Sequence, residues 1–148
     1  MAAIWRIFSA MAVHVLKLCV GAENVVQIAQ WQAEQMALGR RLPVCGTRSW
    51  PKRGAQILAG GSLYWIVKGL IVVRQRVLEI AEVEDEYGLR CGFWLEPGLV
   101  PVMPQLRRPF QGWRYLEPED APADLSGDGG GEDLPEDLRR KLSALGVF

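Results

Sequence analysis

The chain has 148 residues, 49% of them hydrophobic and 23% charged, with 17 basic and 17 acidic side chains. That composition excludes wholesale disorder and fits a single globular domain. A chain of this length buries roughly two thirds of its unfolded surface, so a stable core needs neither disulfides nor a structural metal.

The zero net charge hides a division. Nine acids and no base lie between Glu117 and Asp137, whereas residues 1–116 carry eight acids against fourteen bases. Arg40, Arg41, Arg48, Lys52 and Arg53 follow one another without an acid among them. Such a body attracts polyanions through its field, although a charge run is also what an ordinary solvated face looks like. Cys19, Cys45 and Cys91 are odd in number and lack a C-x-x-C pair, which argues against a disulfide framework or zinc site. A reducing, cytoplasmic setting is the expectation.

Residues 1–22 are apolar with an early Arg6 and small residues at the end, the outline of a signal peptide. Arg6, His14 and Lys17 interrupt the run well short of a membrane span. From Val13 to Val20 the pattern predicts a buried strand, and residues 1–10 read as an extension before a domain beginning at Met11. Asn24 then caps an amphipathic helix whose apolar face holds Val25, Val26, Ala29, Ala33, Met36 and Ala37, ending at Gly39. Trp31 lies off that face and is a candidate partner contact. A loop with Pro43 and Gly46 leads to a shorter helix, with Ser49 as cap, Pro51 in the first turn and Gly60-Gly61 as its stop. That glycine pair follows a helix, whereas phosphate loops precede one.

The middle is β. Ser62–Val67 alternates, Lys68-Gly69 offers a tight turn or a bulge, and Leu70–Ile80 puts Leu70, Val72, Arg74, Arg76, Leu78 and Ile80 on one face. After an acidic turn at Glu84–Gly88, Leu89–Leu95 completes a hairpin. Pro101 and Pro104 make Leu99–Met103 an edge strand. From Glu117 to Asp133 the acidic, Gly-rich composition predicts a flexible linker. Residues 134–148 form a last helix with a stripe of Leu134, Leu138, Leu142 and Leu145.

Several segments together resemble a known bacterial family. HVLKLCVG at 14–21, GGSLYWIVKG at 60–69, the RQR of 74–76, RRPFQGWRYL at 107–116 and EDAPADL at 119–125 are similar to domain-of-unknown-function family 1489, common in alphaproteobacteria. The resemblance covers Met11 to about Leu125 and extends to the final helix, and the sequence departs from the pattern before Met11 and at the glycines of 127–131. It implies a compact bacterial protein and carries no activity.

Enzyme signatures fail. The one histidine, His14, sits in a strand; no G-x-S-x-G elbow, Walker motif, G-x-G-x-x-G or H-E-x-x-H is present. Glu79, Glu82, Glu84, Asp85 and Glu86 cluster around a turn, where solvation explains them better than a metal. The suggestive constellation is basic and aromatic. RRPFQGWRYL sets Arg107, Arg108 and Arg114 beside Phe110, Trp113 and Tyr115, and Arg74 and Arg76 share a strand face. Guanidinium groups grip phosphates and flat rings stack on unpaired bases. The competing reading is structural: Trp113 and Tyr115 anchor a closing strand, and the arginines pair with carboxylates.

The expected fold is α+β: a bent, mainly antiparallel sheet or partly closed barrel of five to six strands, two packed helices, and a C-terminal helix after a linker. A helix ending in Gly-Gly before curved strands is reminiscent of PUA-like RNA-binding barrels, an analogy of fold alone. Three function classes remain open. One is an RNA-associated module using Arg74, Arg76, Arg107, Arg108, Trp113 and Arg114. Another is a protein-interaction or small-ligand module docking through the acidic linker and last helix. An enzyme of unrecognised type is the third. No cofactor, metal or membrane partner is expected.

Overall fold

A computed structural model describes residues 12–19, 21–108, 110–125 and 136–144. The expected extension at 1–10 and the glycine-rich part of the linker lie outside the described residues. Seven strands form one mixed, mostly antiparallel sheet: β1 (His14–Leu18), β2 (Val44–Thr47), β3 (Ser62–Val67), β4 (Leu70–Asp85), β5 (Gly88–Leu95), β6 (Val100–Leu106) and β7 (Trp113–Leu116). Their order is β2-β5-β4-β3-β1-β7, with β6 paired to β4. The sheet is open, which corrects the partly closed barrel, and seven strands replace the five or six expected.

The strands beyond the five read in chain order are β2 and β7, the latter being the closing strand of the structural reading of Trp113 and Tyr115. Each has four residues, too short for hydrophobic alternation to register. Each is specified by its neighbour instead: β2 by β5, and β7 by β1 through pairs such as Val15 with Tyr115 and Leu16 with Arg114. The β1–β3 pair is the parallel one, joined by a long crossover that contains α1 (Val25–Ala37) and α2 (Gly54–Leu58). The expected acidic turn shortens to Glu86–Tyr87, because β4 continues to Asp85.

Lys68 and Gly69 both have positive φ, 51° and 79°. That conformation makes the tight two-residue turn between β3 and β4, whose twist matches the paired strands. Strict alternation would put Leu70, Val72, Arg74 and Arg76 on one face. Irregularities against both β3 (at Trp65/Ile66) and β6 (at Ile71/Val73) break it. Val72 and Val73 consequently both enter the larger core, and Arg74 falls on the opposite side with Tyr64. The bulge resolves the cost that burying Arg74 among aliphatic side chains would otherwise carry.

The sheet has two apolar faces. The larger core gathers Val13, Val15, Val25, Ile28, Ile57, Leu63, Trp65, Phe93 and Leu95 with their neighbours. The smaller one holds Leu16, Tyr64, Ile66, Ile71, Val102 and Leu116, with Phe110 and Ala121 packed against it.

α1 is capped as expected: the Asn24 side chain accepts from the Gln27 backbone N–H at 3.0 Å. Its docked face differs from the apolar stripe. Val25 and Ile28 are buried, Gln32 and Gln35 turn toward the sheet, and Ala29, Ala33, Met36 and Ala37 are exposed. The reason is polar pairing. Gln35 exchanges hydrogen bonds with the Val44 backbone, and Gln32 meets buried Gln75. Two matched amides outweigh a few exposed methyl groups.

α2 begins at Gly54, not near Ser49, and buries Ile57. At its end a Cβ on Gly61 would collide with the carbonyl oxygens of Val13 and Ile57, so only glycine lets the chain pass into β3. The final helix, α3, is described over Glu136–Ala144; the rest of the expected 134–148, with Leu134 and Leu145, lies outside the described residues. Among the described residues no helix is long and apolar enough to cross a membrane.

Candidate functional site

Strand alternation decides which residues of RRPFQGWRYL can act together. In β7, Trp113 and Tyr115 point to the larger core, whereas Leu116 joins the smaller one. Arg114, two residues before Leu116 along the strand, shares the Leu116 side. Trp113 and Arg114 therefore stand on opposite faces of the sheet.

On the Arg114 side lies a pocket of about 570 Å³ lined by Leu16, Leu106, Arg107, Arg108, Phe110, Arg114, Tyr115, Leu116, Glu117 and Asp120. Leu16 and Leu116 belong to the smaller core and supply its apolar floor. The chain from β6 brings two arginines to the mouth, held by a hydrogen bond from the Arg107 N–H to the Gly69 carbonyl at 2.9 Å. The Arg114 guanidinium lies 4.6 Å from the centroid of the Phe110 ring, a cation–π contact that orients it without neutralising it. Arg107 is half-buried, and its Nε is buried with no hydrogen-bond partner among the described residues. Native proteins seldom leave such a donor unmatched.

The charges in the pocket do not cancel. Glu117 is engaged outward by Arg53, at 2.6 and 3.4 Å, and that guanidinium holds the Glu117 carboxyl below its usual range. Asp120 is the other carboxylate of the lining. None of Arg107, Arg108 and Arg114 takes part in an ion pair among the described residues.

The remaining candidates lie elsewhere. Arg74 donates to both oxygens of Asp124 at 2.6 Å and to Ser62 Oγ at 3.2 Å. Its charge is occupied. Arg76 is exposed and lies opposite Ser62 in the β3–β4 register, outside the pocket lining. Trp113 is half-buried, edge-on to Phe93 and Tyr115 at 5.7 and 4.9 Å between centroids, and donates its indole N–H to the Ser49 carbonyl at 3.0 Å. Its rings are packing surfaces. Of the six residues singled out in the sequence, the structure gathers Arg107, Arg108 and Arg114 into one place and separates Arg74, Arg76 and Trp113 from them. The floor residue Leu16 and the acid Asp120 lie in the motifs HVLKLCVG and EDAPADL, yet nothing local singles them out as site residues, because they reach the pocket only through β1–β7 pairing and the turn after β7.

The other chemistry-bearing groups are accounted for locally. His14 Nδ1 accepts the Ser62 backbone N–H at 2.9 Å, so that lone pair is committed. Burial, and then the Arg74 charge, lower its pKa and keep it neutral. Around the β4–β5 turn, Asp85 is held by Arg90 at 2.6 Å and Glu79 pairs with Arg41. Among the described residues no group of three or more His, Cys, Asp and Glu side chains could hold a metal ion. Burial pushes the Cys19 and Cys45 thiols up to about 11, which leaves them protonated and poor nucleophiles.

A family model described as a protein of unknown function, DUF1489, matches residues 15–148. No curated protein matches the chain, and no solved structure does.

Proposed function

The chain belongs to the DUF1489 family of proteins of unknown function, and on that footing we propose that it is an RNA-associated module whose arginine pocket holds phosphate groups. One observation carries this reading: three guanidinium groups, from Arg107, Arg108 and Arg114, line one pocket, and among the described residues no carboxylate is paired to any of them. Guanidinium forks match phosphate oxygens in geometry and charge. The unmatched Arg107 Nε supplies a donor that a phosphate oxygen would satisfy. The surplus of fourteen bases over eight acids in residues 1–116 favours a polyanion over a single small anion.

The test is binding of a labelled single-stranded RNA as a function of salt. Arg107→Ala with Arg108→Ala should leave the thermal midpoint nearly unchanged, weaken binding, and make the salt slope shallower by about one phosphate contact per arginine. Wild-type protein with no measurable RNA affinity at about 50 mM salt would end this reading.

A further inference from the structure

Building on the phosphate pocket, we infer that the β2–α2 loop is a second subsite, where Trp50 stacks on an unpaired base of a single strand whose phosphates enter the arginine pocket. The loop is fastened to β7 at two points. The Ser49 carbonyl accepts from Trp113 Nε1 at 3.0 Å, and the Arg53 N–H donates to Tyr115 Oη at 3.1 Å. Arg53 also lies 5.2 Å from the Tyr115 ring centroid and grips Glu117. Tyr115 and Glu117 both line the pocket, so the loop, on the Trp113–Tyr115 face, and the pocket, on the Arg114 face, flank the same short edge strand, around which a single strand would pass.

Around those anchors the loop presents Arg48, Trp50 and Lys52, all exposed. Trp50 is 52% exposed, although it is the largest apolar side chain the loop has to bury. Neither Arg48 nor Lys52 has an ion-pair partner among the described residues. A cation, an indole and a second cation at alternate positions are the pattern of a single-strand platform: the cations track the backbone and the ring takes a base. Pro51 and the two anchors hold the platform in place before binding, which lowers the entropy cost of using it. A duplex hides its base faces, so the chemistry selects unpaired RNA.

The experiment measures fluorescence anisotropy at about 50 mM salt with three probes: single-stranded oligouridylate of about 12 nucleotides, an RNA duplex of the same length, and inorganic polyphosphate. The proteins are the wild type, Trp50→Ala, Trp50→Phe and the Arg107→Ala/Arg108→Ala double variant. Trp50→Ala should weaken oligouridylate binding about tenfold, leave polyphosphate binding within about twofold, and be largely rescued by Trp50→Phe. The double arginine variant should weaken both single-stranded RNA and polyphosphate. If Trp50→Ala changes neither probe, or both equally, the stacking subsite is overturned while the pocket stands on the arginine result. Equal wild-type affinity for the duplex also overturns it. An arginine double variant with wild-type affinity for both polymers removes the pocket instead, and a wild type that binds neither polymer removes both.

Discussion

The side-chain amides of Gln32 and Gln75 face each other and exchange hydrogen bonds, Gln32 Nε2 to Gln75 Oε1 at 2.7 Å and Gln75 Nε2 to Gln32 Oε1 at 2.9 Å. Gln75, only 1% exposed, also accepts from Trp65 Nε1 at 2.9 Å and donates to the Glu96 carbonyl at 3.0 Å. The pair pins α1 to the sheet, and every polar atom of the buried amide is matched. Replacing Gln75 with Ala strands the Trp65 indole N–H and opens a cavity, so it should cost about 3 kcal/mol. Gln32→Ala, at the half-buried end, should cost about 1 kcal/mol. Urea unfolding of the two variants checks the order; equal losses would show that Gln75 is not the hub.

Trp113→Ala should be a stability variant. Loss of the edge-on contacts with Phe93 and Tyr115 and of the bond to Ser49 should cost about 2–3 kcal/mol of folding. Polyphosphate affinity of the folded protein should change less than twofold, because the indole and Arg114 stand on opposite faces of the sheet, whereas oligouridylate affinity should fall a few-fold with the loss of the Ser49 anchor. A large loss of polyphosphate affinity with an unchanged midpoint would place the indole in the arginine pocket after all.

Arg74 and Asp124 fasten the segment after β7 to β4, beside the Val102–Asp124 bridge and the bonds from Met103 to Ala123 and Leu125 to Pro101. A double-mutant cycle with Arg74→Ala and Asp124→Ala should return a coupling of about 1 kcal/mol, as expected for a bidentate but partly solvated pair. Arg74 holds the Asp124 carboxyl below its usual range. Its contribution is therefore complete above the unfolded value of 3.8 and is lost as pH falls through the lower folded value. Asp124→Asn should leave RNA binding unchanged, because Arg74 stands outside the pocket.

His14 acts in a higher pH window. Burial first, and the Arg74 charge second, lower its folded pKa from 6.5, so protons bind the unfolded chain more readily. Its contribution is intact above 6.5 and declines as pH falls below that value toward the folded pKa. The slope of stability against pH below 6.5 should therefore be positive in wild type and flatter in His14→Asn, which keeps an acceptor for the Ser62 N–H without titrating. Identical slopes in denaturant titrations would assign the proton uptake elsewhere.

Much of the architecture was written locally. Asn24 marks the start of α1, Lys68-Gly69 reads as a turn, and Ser62–Val67 and Leu89–Leu95 carry the alternation of their strands. The motif RRPFQGWRYL already held all three pocket arginines and Phe110. These features depend on neighbours a few residues apart, which is the range over which caps, turns and periodicity operate. The rest depended on long-range partners. Strands β2 and β7 exist through their pairing with β5 and β1. The bulge at Val72–Val73 reverses the face of Arg74, α1 docks through glutamines rather than alanines, and Asp124 claims Arg74 from fifty positions away. Local sequence sets caps, turns and strand alternation; tertiary contacts decide which face a side chain finally takes and what it meets there, and for six arginine and tryptophan candidates that meeting separated the pocket from the packing.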